Sequence, residues 1–211
     1  VVRPRVLRSG RTYFVSFMGL ERDPAAIPRD WGRKALRAVS RDSSNLIWID
    51  LETTGLSVGS RVILEIASLV TDKDLYVLGE GPVIVIHHPD DVLSRIDSWS
   101  HRQHGLSGLL DASRSSNISL SEAEQQTLRF VRKHVPCGAS PLCGSSISLD
   151  RRFLMRYMPE LNAHLSHRNL DVSTVAELAA RWYPDAAAKL DRGVRHRAAP
   201  DDLVRYRTEH D

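Results

Sequence analysis

Residues 45–56 read NLIWIDLETTGL, and the alternation in the first eight decides what the chain builds. Side chains on a strand point to opposite faces in turn. Leu46, Trp48, Asp50 and Glu52 therefore share one face, and Ile47, Ile49 and Leu51 share the other. An apolar run with period two predicts a strand. The two acids then project side by side, close enough to serve one site, and hard oxygen ligands of this kind suit Mg²⁺ or Mn²⁺ better than zinc. Taken alone, a D-x-E pair is more often a polar stripe facing water. The setting argues otherwise: flanked by Trp48, Ile49 and Leu51 and followed at once by the turn TTGL (53–56), the pair is costly to bury without a ligand.

Working outward, RVILEIASLVT (61–71) and GPVIVIHH (81–88) read as the next two strands of a meander, with a turn through Asp72 to Asp74. From residue 121 the period becomes helical. Ser121 with Glu124 forms a candidate capping box, and Leu128, Val131 and Val135 form a stripe ending before Pro136 and Gly138. PLCGSSI (141–147) reads as a short strand and DRRFLMRYM (150–158) as a helix stopped by Pro159. RNLDVST (168–174) reads as a further strand, after which Thr174 with Glu177 can cap a helix carrying Val175, Leu178, Ala179 and Trp182. The expected fold class is α/β: a mixed β-sheet of about five strands flanked by helices.

A chain of 211 residues with 42% hydrophobic and 26% charged residues can bury one good core. We expect one domain over 44–211, preceded by an irregular basic extension over 1–43. In that extension Arg3, Arg5, Arg8 and Arg11 precede the first acid, Glu21, and Arg33, Lys34, Arg37 and Arg41 follow. This pattern fits an anionic partner, the remains of an organelle-targeting segment, or a solvated tail. Cys137 and Cys143 lack CxxC spacing, which argues against a disulfide framework or a zinc site. Apolar runs fall short of a membrane span, so no membrane partner is expected.

Two further places carry chemistry. Asp150 opens a helix directly after a strand, where α/β folds put functional groups, although an acid there also serves the helix dipole. HRAAPDDL (196–203) sets His196 five residues before Asp201, and a His beside acids can act as a general base near neutral pH.

Together, D-x-E-T-T-G-L at 50–56, Asp150 within C-G-S-S-I-S-L-D-R-R-F-L, and H-x-x-x-x-D at 196–201 resemble the DEDD-type 3′-to-5′ exonucleases of the His subclass, in particular the oligoribonuclease family. The resemblance runs from about residue 45 to 202, through EGPVIVIHHPD, RRFLMRYMPEL and LDVSTVAELAARWYP. It implies an RNase H-like fold and hydrolysis of short oligoribonucleotides to 5′-mononucleotides. By resemblance, Asp50, Glu52, Asp150 and Asp201 match the four carboxylates that hold two divalent metal ions, Mg²⁺ or Mn²⁺, and His196 matches the base. Leu56 and Trp99 match positions that wedge or stack on bases, and His104 and Ser146 match residues that bind the phosphate end of short single-stranded RNA. Stacking tolerates any base, so cleavage would be independent of sequence. For Leu56 and Trp99 the residues alone would suggest ordinary core packing.

The chain also departs from the pattern. Ser145 stands where the family has Asn, and His167 aligns with a Tyr that reaches across a family homodimer. Pro200 enters the last motif; within the first turn of a helix it removes only an N–H that has no intrahelical partner. The LVRYRTEHD that follows Asp202 predicts less helix packed behind Asp201 than in the family. Two functions are therefore expected to compete. One is a metal-dependent exoribonuclease, with a homodimer implied by the family. The other is a weakly active or inactive domain serving as a structural or RNA-binding subunit of a mitochondrial ribonucleoprotein such as the mitoribosome, contacted through the basic extension. The Arg-rich start points to the mitochondrion; failing that, the cytoplasm is expected.

Overall fold

A computed structural model describes residues 41–185. The extension up to residue 40 and the stretch from 186 onward, which holds His196, Pro200 and Asp201, lie outside the described residues. The NLIWIDLE run forms β1 (Leu46–Thr53) at the middle of a six-stranded sheet. β2 (Ile63–Thr71) runs antiparallel beside it, in a register that sets Asp50 against Ala67 and Glu52 against Glu65. β3 (Val77–Glu80) and β4 (Ile84–Val85) both pair antiparallel with β2. On the other side of β1, β5 (Leu142–Gly144) pairs parallel, and β6 (Asn169–Asp171) pairs parallel with β5.

Seven helices complete the described part: α1 (Asp90–Leu93), α2 (Ser98–Ser107), α3 (Leu109–Ser115), α4 (Leu120–His134), α5 (Ser148–Tyr157), α6 (Pro159–His164) and α7 (Val172–Trp182). The partition of β1 decides where they pack. Ile47 and Ile49 join Ile66 and Val70 in the main core, closed by Leu128 and Val131 of α4 and by Phe153 and Leu154 of α5. Trp48, on the opposite face, packs in a smaller cluster with Ala67, Leu69 and Cys143, and its indole N–H donates to Thr71 Oγ1 (3.0 Å). Burial on both faces around Trp48 fixes the register of β1, so the carboxylates beyond it sit on a firmly held strand. No helix among the described residues is long and apolar enough to cross a membrane.

Three local expectations are corrected and one is extended. The third strand, expected over 81–88, is divided into β3 and β4 because Pro82 has no N–H to place in the ladder; on either side of it Gly81 and Ile86 donate to β2, to the carbonyls of Ser68 and Leu64. The capping box at α4 is Ser119 with Glu122, not Ser121 with Glu124. Glu124 is buried and instead accepts the N–H groups of Glu160 (2.7 Å) and Leu161 (3.0 Å), satisfying the start of α6. Pro159 does more than end α5: it occupies the first turn of α6, where its missing N–H is harmless. The cap of α7 is Asp171, whose side chain accepts from Ser173 N–H, rather than Thr174 with Glu177; Glu177 pairs with Arg181.

Candidate active site

The site grows from the C-terminal half of β1. Its pairing with β5 runs only through Trp48 against Cys143, so the N–H of Leu51 lies beyond the parallel ladder. Asp150 fills that gap: its Oδ1 accepts from Leu51 N–H at 3.1 Å, from the first turn of α5. Gly144 leaves room for the turn into α5 against β1, since a β-carbon there would stand 2.5 Å from Ile147 Cδ1 and 3.0 Å from the Ile49 carbonyl oxygen. Asp50, Glu52 and Asp150 are thereby gathered at one end of the sheet, with Glu65 of β2 directly across from Glu52.

The electrostatics follow from crowding like charges on a half-buried surface. Burial, then Asp50, Glu65 and Asp150, push the Glu52 carboxyl up to about 7. Burial, then Asp50, push Asp150 up to about 7, with Asp171 adding to the rise and the Leu51 N–H opposing it. Burial also raises Asp50 and Glu65 above the usual carboxylate range. Such a set favours either a proton or a cation. Its all-oxygen chemistry suits a hard divalent ion. Among the described residues, however, no group of three or more His, Cys, Asp or Glu side chains is spaced to enclose an ion, and Asp201 lies outside them.

The TTGL turn leaves β1 and places Leu56 beside the start of α2. Gly55 has φ +144°, and a β-carbon on it would collide with the carboxylate of Asp97. Asp97 in turn caps α2 by accepting from Ser100 N–H (2.8 Å) and donates its own N–H to the Thr54 carbonyl (3.2 Å). Leu56 and Trp99 are not core residues: they are 71% and 59% exposed. Tyr157 of α5 steadies the same loop by donating to the Arg61 carbonyl (2.6 Å).

His104 lies buried behind Trp99, its Nε2 donating to the Thr53 carbonyl (2.9 Å) and standing 3.9 Å from Glu52 Oε2. Together with Glu52, Glu65, Trp99 and Gln103 it lines a cleft of about 260 Å³. Ser146 sits apart from this cleft lining, at the other flank of the carboxylates, with φ +50°. Its N–H donates to Asp171 Oδ1 (2.9 Å) and Ser173 Oγ (3.0 Å). Ser145, the position of the family's Asn, is bonded through its hydroxyl to Ser173 Oγ (2.6 Å), and His167 is exposed.

Of the predicted site residues within the described part, Asp50, Glu52 and Asp150 form the carboxylate group and Trp99 and His104 line the cleft beside it, whereas Leu56 stands exposed in the turn after β1. Ser146 is joined to the carboxylate group through the turn into α5. His196 and Asp201 lie outside the described residues. Sequence reasoning missed Glu65, Asp171 and Ser173. A lone acid in the apolar run of β2 was a usable signal for Glu65, whereas Asp171 and Ser173 had none without knowledge of which strands pair.

Residues 47–206 match the Exonuclease family. Oligoribonuclease of Pseudomonas putida is 53% identical over 161 residues, covering 76% of this chain and 89% of that protein. Oligoribonuclease of Pseudomonas aeruginosa is 52% identical over the same length and coverage. Among solved structures, apo Exonuclease I superposes with a TM-score of 0.56 at 16% identity, covering 68% of this chain and 32% of its own. E. coli Exonuclease I in complex with a 5cy-dA13 oligonucleotide gives 0.54 at 18% identity, covering 67% and 31%. The present chain spans about a third of those structures, and at such identity they speak for the fold alone: the RNase H-like sheet with its flanking helices. On the sequence matches, the chain belongs to the oligoribonuclease family of 3′-to-5′ exoribonucleases.

Proposed function

We propose that the protein hydrolyses short single-stranded RNA from its 3′ end to 5′-mononucleotides, and that Asp50, Glu52, Asp150 and Asp201 hold divalent cations, Mg²⁺ or Mn²⁺, for the reaction. The observation that carries this reading is the crowding of Asp50, Glu52 and Asp150 at the end of β1, where burial first and the charge of Asp50 second raise the affinity of Glu52 and Asp150 for positive charge. Divalent cations bound there would offset the repulsion among the carboxylates and the scissile phosphate and would acidify the attacking water. His196, five residues before Asp201, takes the proton from that water. Trp99, exposed in the cleft beside Glu52, and Leu56, exposed in the turn after β1, give the bases apolar surfaces to stack on. His104 and Ser146 flank the site and bind the phosphate end.

The reading as a non-catalytic ribonucleoprotein subunit is not favoured, because the family match over 47–206 takes in all four carboxylate positions and His196. Association of two copies is supported by the apolar side chains that α7 exposes, Val175 and Trp182 among them, and is tested by solution mass. Residence in the mitochondrion is likewise our reading of the Arg-rich start, tested by imaging the tagged full chain.

The deciding assay incubates the protein with end-labelled dinucleotide and pentanucleotide RNA and Mn²⁺, beside Asp50→Ala. Stepwise shortening from the 3′ end by wild type alone is expected. Equal inertness of the two proteins would end the enzymatic reading.

A further inference from the structure

The turn between β5 and α5 is held in an unfavourable conformation directly ahead of Asp150. Ser146 lies in the left-handed region at φ +50°, which a residue bearing a β-carbon adopts reluctantly. α5 begins two residues later with no side-chain cap on its N-terminus, so nothing in the helix itself determines where it starts. Its first bonds run back to the turn: Leu149 N–H to the Ser146 carbonyl (3.1 Å) and Arg151 N–H to the Ile147 carbonyl (2.9 Å).

What holds the turn comes from another element. β6 pairs with β5 so that Asp171 stands opposite Gly144. Asp171 Oδ1 accepts from Ser146 N–H (2.9 Å), which also reaches Ser173 Oγ (3.0 Å), and, as the cap of α7, Asp171 Oδ1 accepts from Ser173 N–H (2.9 Å) and so holds that second acceptor too. One carboxylate oxygen thus ties the strained turn to the start of α7.

We propose that Asp171 is a positioning residue for catalysis: by pinning the left-handed Ser146 it sets the origin of α5, and hence where Asp150 meets β1. The proposal rests on the reading of Asp150 as a ligand in the active site. Backbone strain at such a junction persists only while its surroundings hold it. Without Asp171 the turn loses one acceptor outright, and the other, Ser173 Oγ, loses the cap that holds Ser173 in place; the turn relaxes, α5 shifts at its first residues, and Asp150 loses its 3.1 Å contact with Leu51. A displacement of about 1 Å at a catalytic group is enough to cost on the order of a hundredfold in rate.

The test compares Asp171→Asn, which keeps an acceptor oxygen, with Asp171→Ala, which removes it. We expect Asp171→Ala to lower kcat by at least about tenfold and to raise KM by a smaller factor, and Asp171→Asn to stay within about threefold of wild type in both. Two further variants, Ser146→Ala and Ser146→Gly, are made in the Asp171→Ala background. Both lose the hydroxyl, but only glycine accepts the left-handed turn without a partner, so the Gly double variant should exceed the Ala double variant about tenfold in kcat.

Exchange of the Ser146 amide, measured in metal-free protein, gives a readout independent of activity: protected in wild type and Asp171→Asn, and at least about tenfold faster in Asp171→Ala. Equal kcat for the two double variants, or an Asn variant as poor as the Ala variant, would overturn the proposal. If Asp150→Ala proved fully active, the reading of the active site would fall, while amide exchange would still report whether Asp171 holds the turn.

Discussion

Replacing Asp150 by Asn should make the metal-free protein more stable at pH 8 while removing its activity. In the folded chain this carboxyl titrates near 7 rather than at its ordinary 3.8, because of burial first and Asp50 second. The folded state therefore holds the proton more tightly than the unfolded chain does. The sign follows: stability from this group is present below about pH 4 and is lost as pH rises through about 7. A displacement of roughly three pH decades at about 1.4 kcal/mol each sets a ceiling of about 4 kcal/mol.

Asp50 and Glu52 share the same repulsion, and the Glu52 side chain is 44% exposed, so solvent screening lowers its part. Relief from the single substitution should come to about 2 kcal/mol. For a domain of this size that is a rise in Tm of about 4–8 °C. Asn keeps an oxygen for Leu51 N–H, so the bond at 3.1 Å need not be lost.

The assay is a series of thermal melts by circular dichroism in EDTA from pH 5 to pH 8. Wild type should lose stability across that range and regain it with Mn²⁺. Asp150→Asn should show a flatter profile and respond weakly to the metal. A wild-type Tm that holds or climbs from pH 5 to pH 8 without metal, or a variant no more stable at pH 8, would refute the reasoning.

Other expectations follow from the same contacts. Trp99→Ala should raise KM for dinucleotide by about tenfold, a stacking loss on the order of 1–3 kcal/mol, and leave Tm nearly unchanged because the ring is exposed; a large fall in Tm would assign the ring to packing. Glu124→Ala should lower stability by about 2–4 kcal/mol in urea titrations, since two backbone N–H groups at the start of α6 lose their acceptor. Glu124→Gln should recover at least half of that loss. Gly55→Ala combines an unfavourable backbone angle with a collision against Asp97, so activity on short RNA should fall at least tenfold as Leu56 and α2 separate; wild-type activity would show that the turn has slack.

How far the sequence carries depends on the range of each contact. The period of NLIWIDLE separates Ile47 and Ile49 from Asp50 and Glu52 correctly because strand alternation is local geometry. The helical stripe of Leu128 and Val131 is legible for the same reason. The third strand misleads because apolar character alone does not reveal that Pro82 interrupts the ladder. Two S-x-x-E patterns overlap at the start of α4, and nothing local chooses between them. The choice falls on Ser119 and Glu122 because Glu124 is drawn into the interior to meet the start of α6.

The site divides along the same line. By itself, the sequence determines that two carboxylates share a strand face, that a tight turn follows them, and that the motifs of an exonuclease family recur at 50–56, 150 and 196–201. Tertiary structure alone decides that Glu65 stands across from Glu52, that Asp150 reaches Leu51 from far along the chain, and that Asp171 holds Ser146. Those pairings depend on strand register and on the order β2-β1-β5-β6. Burial of the Ile47 and Ile49 face fixes that register, and a slip of one residue would turn the acids into the core and the isoleucines toward the cleft.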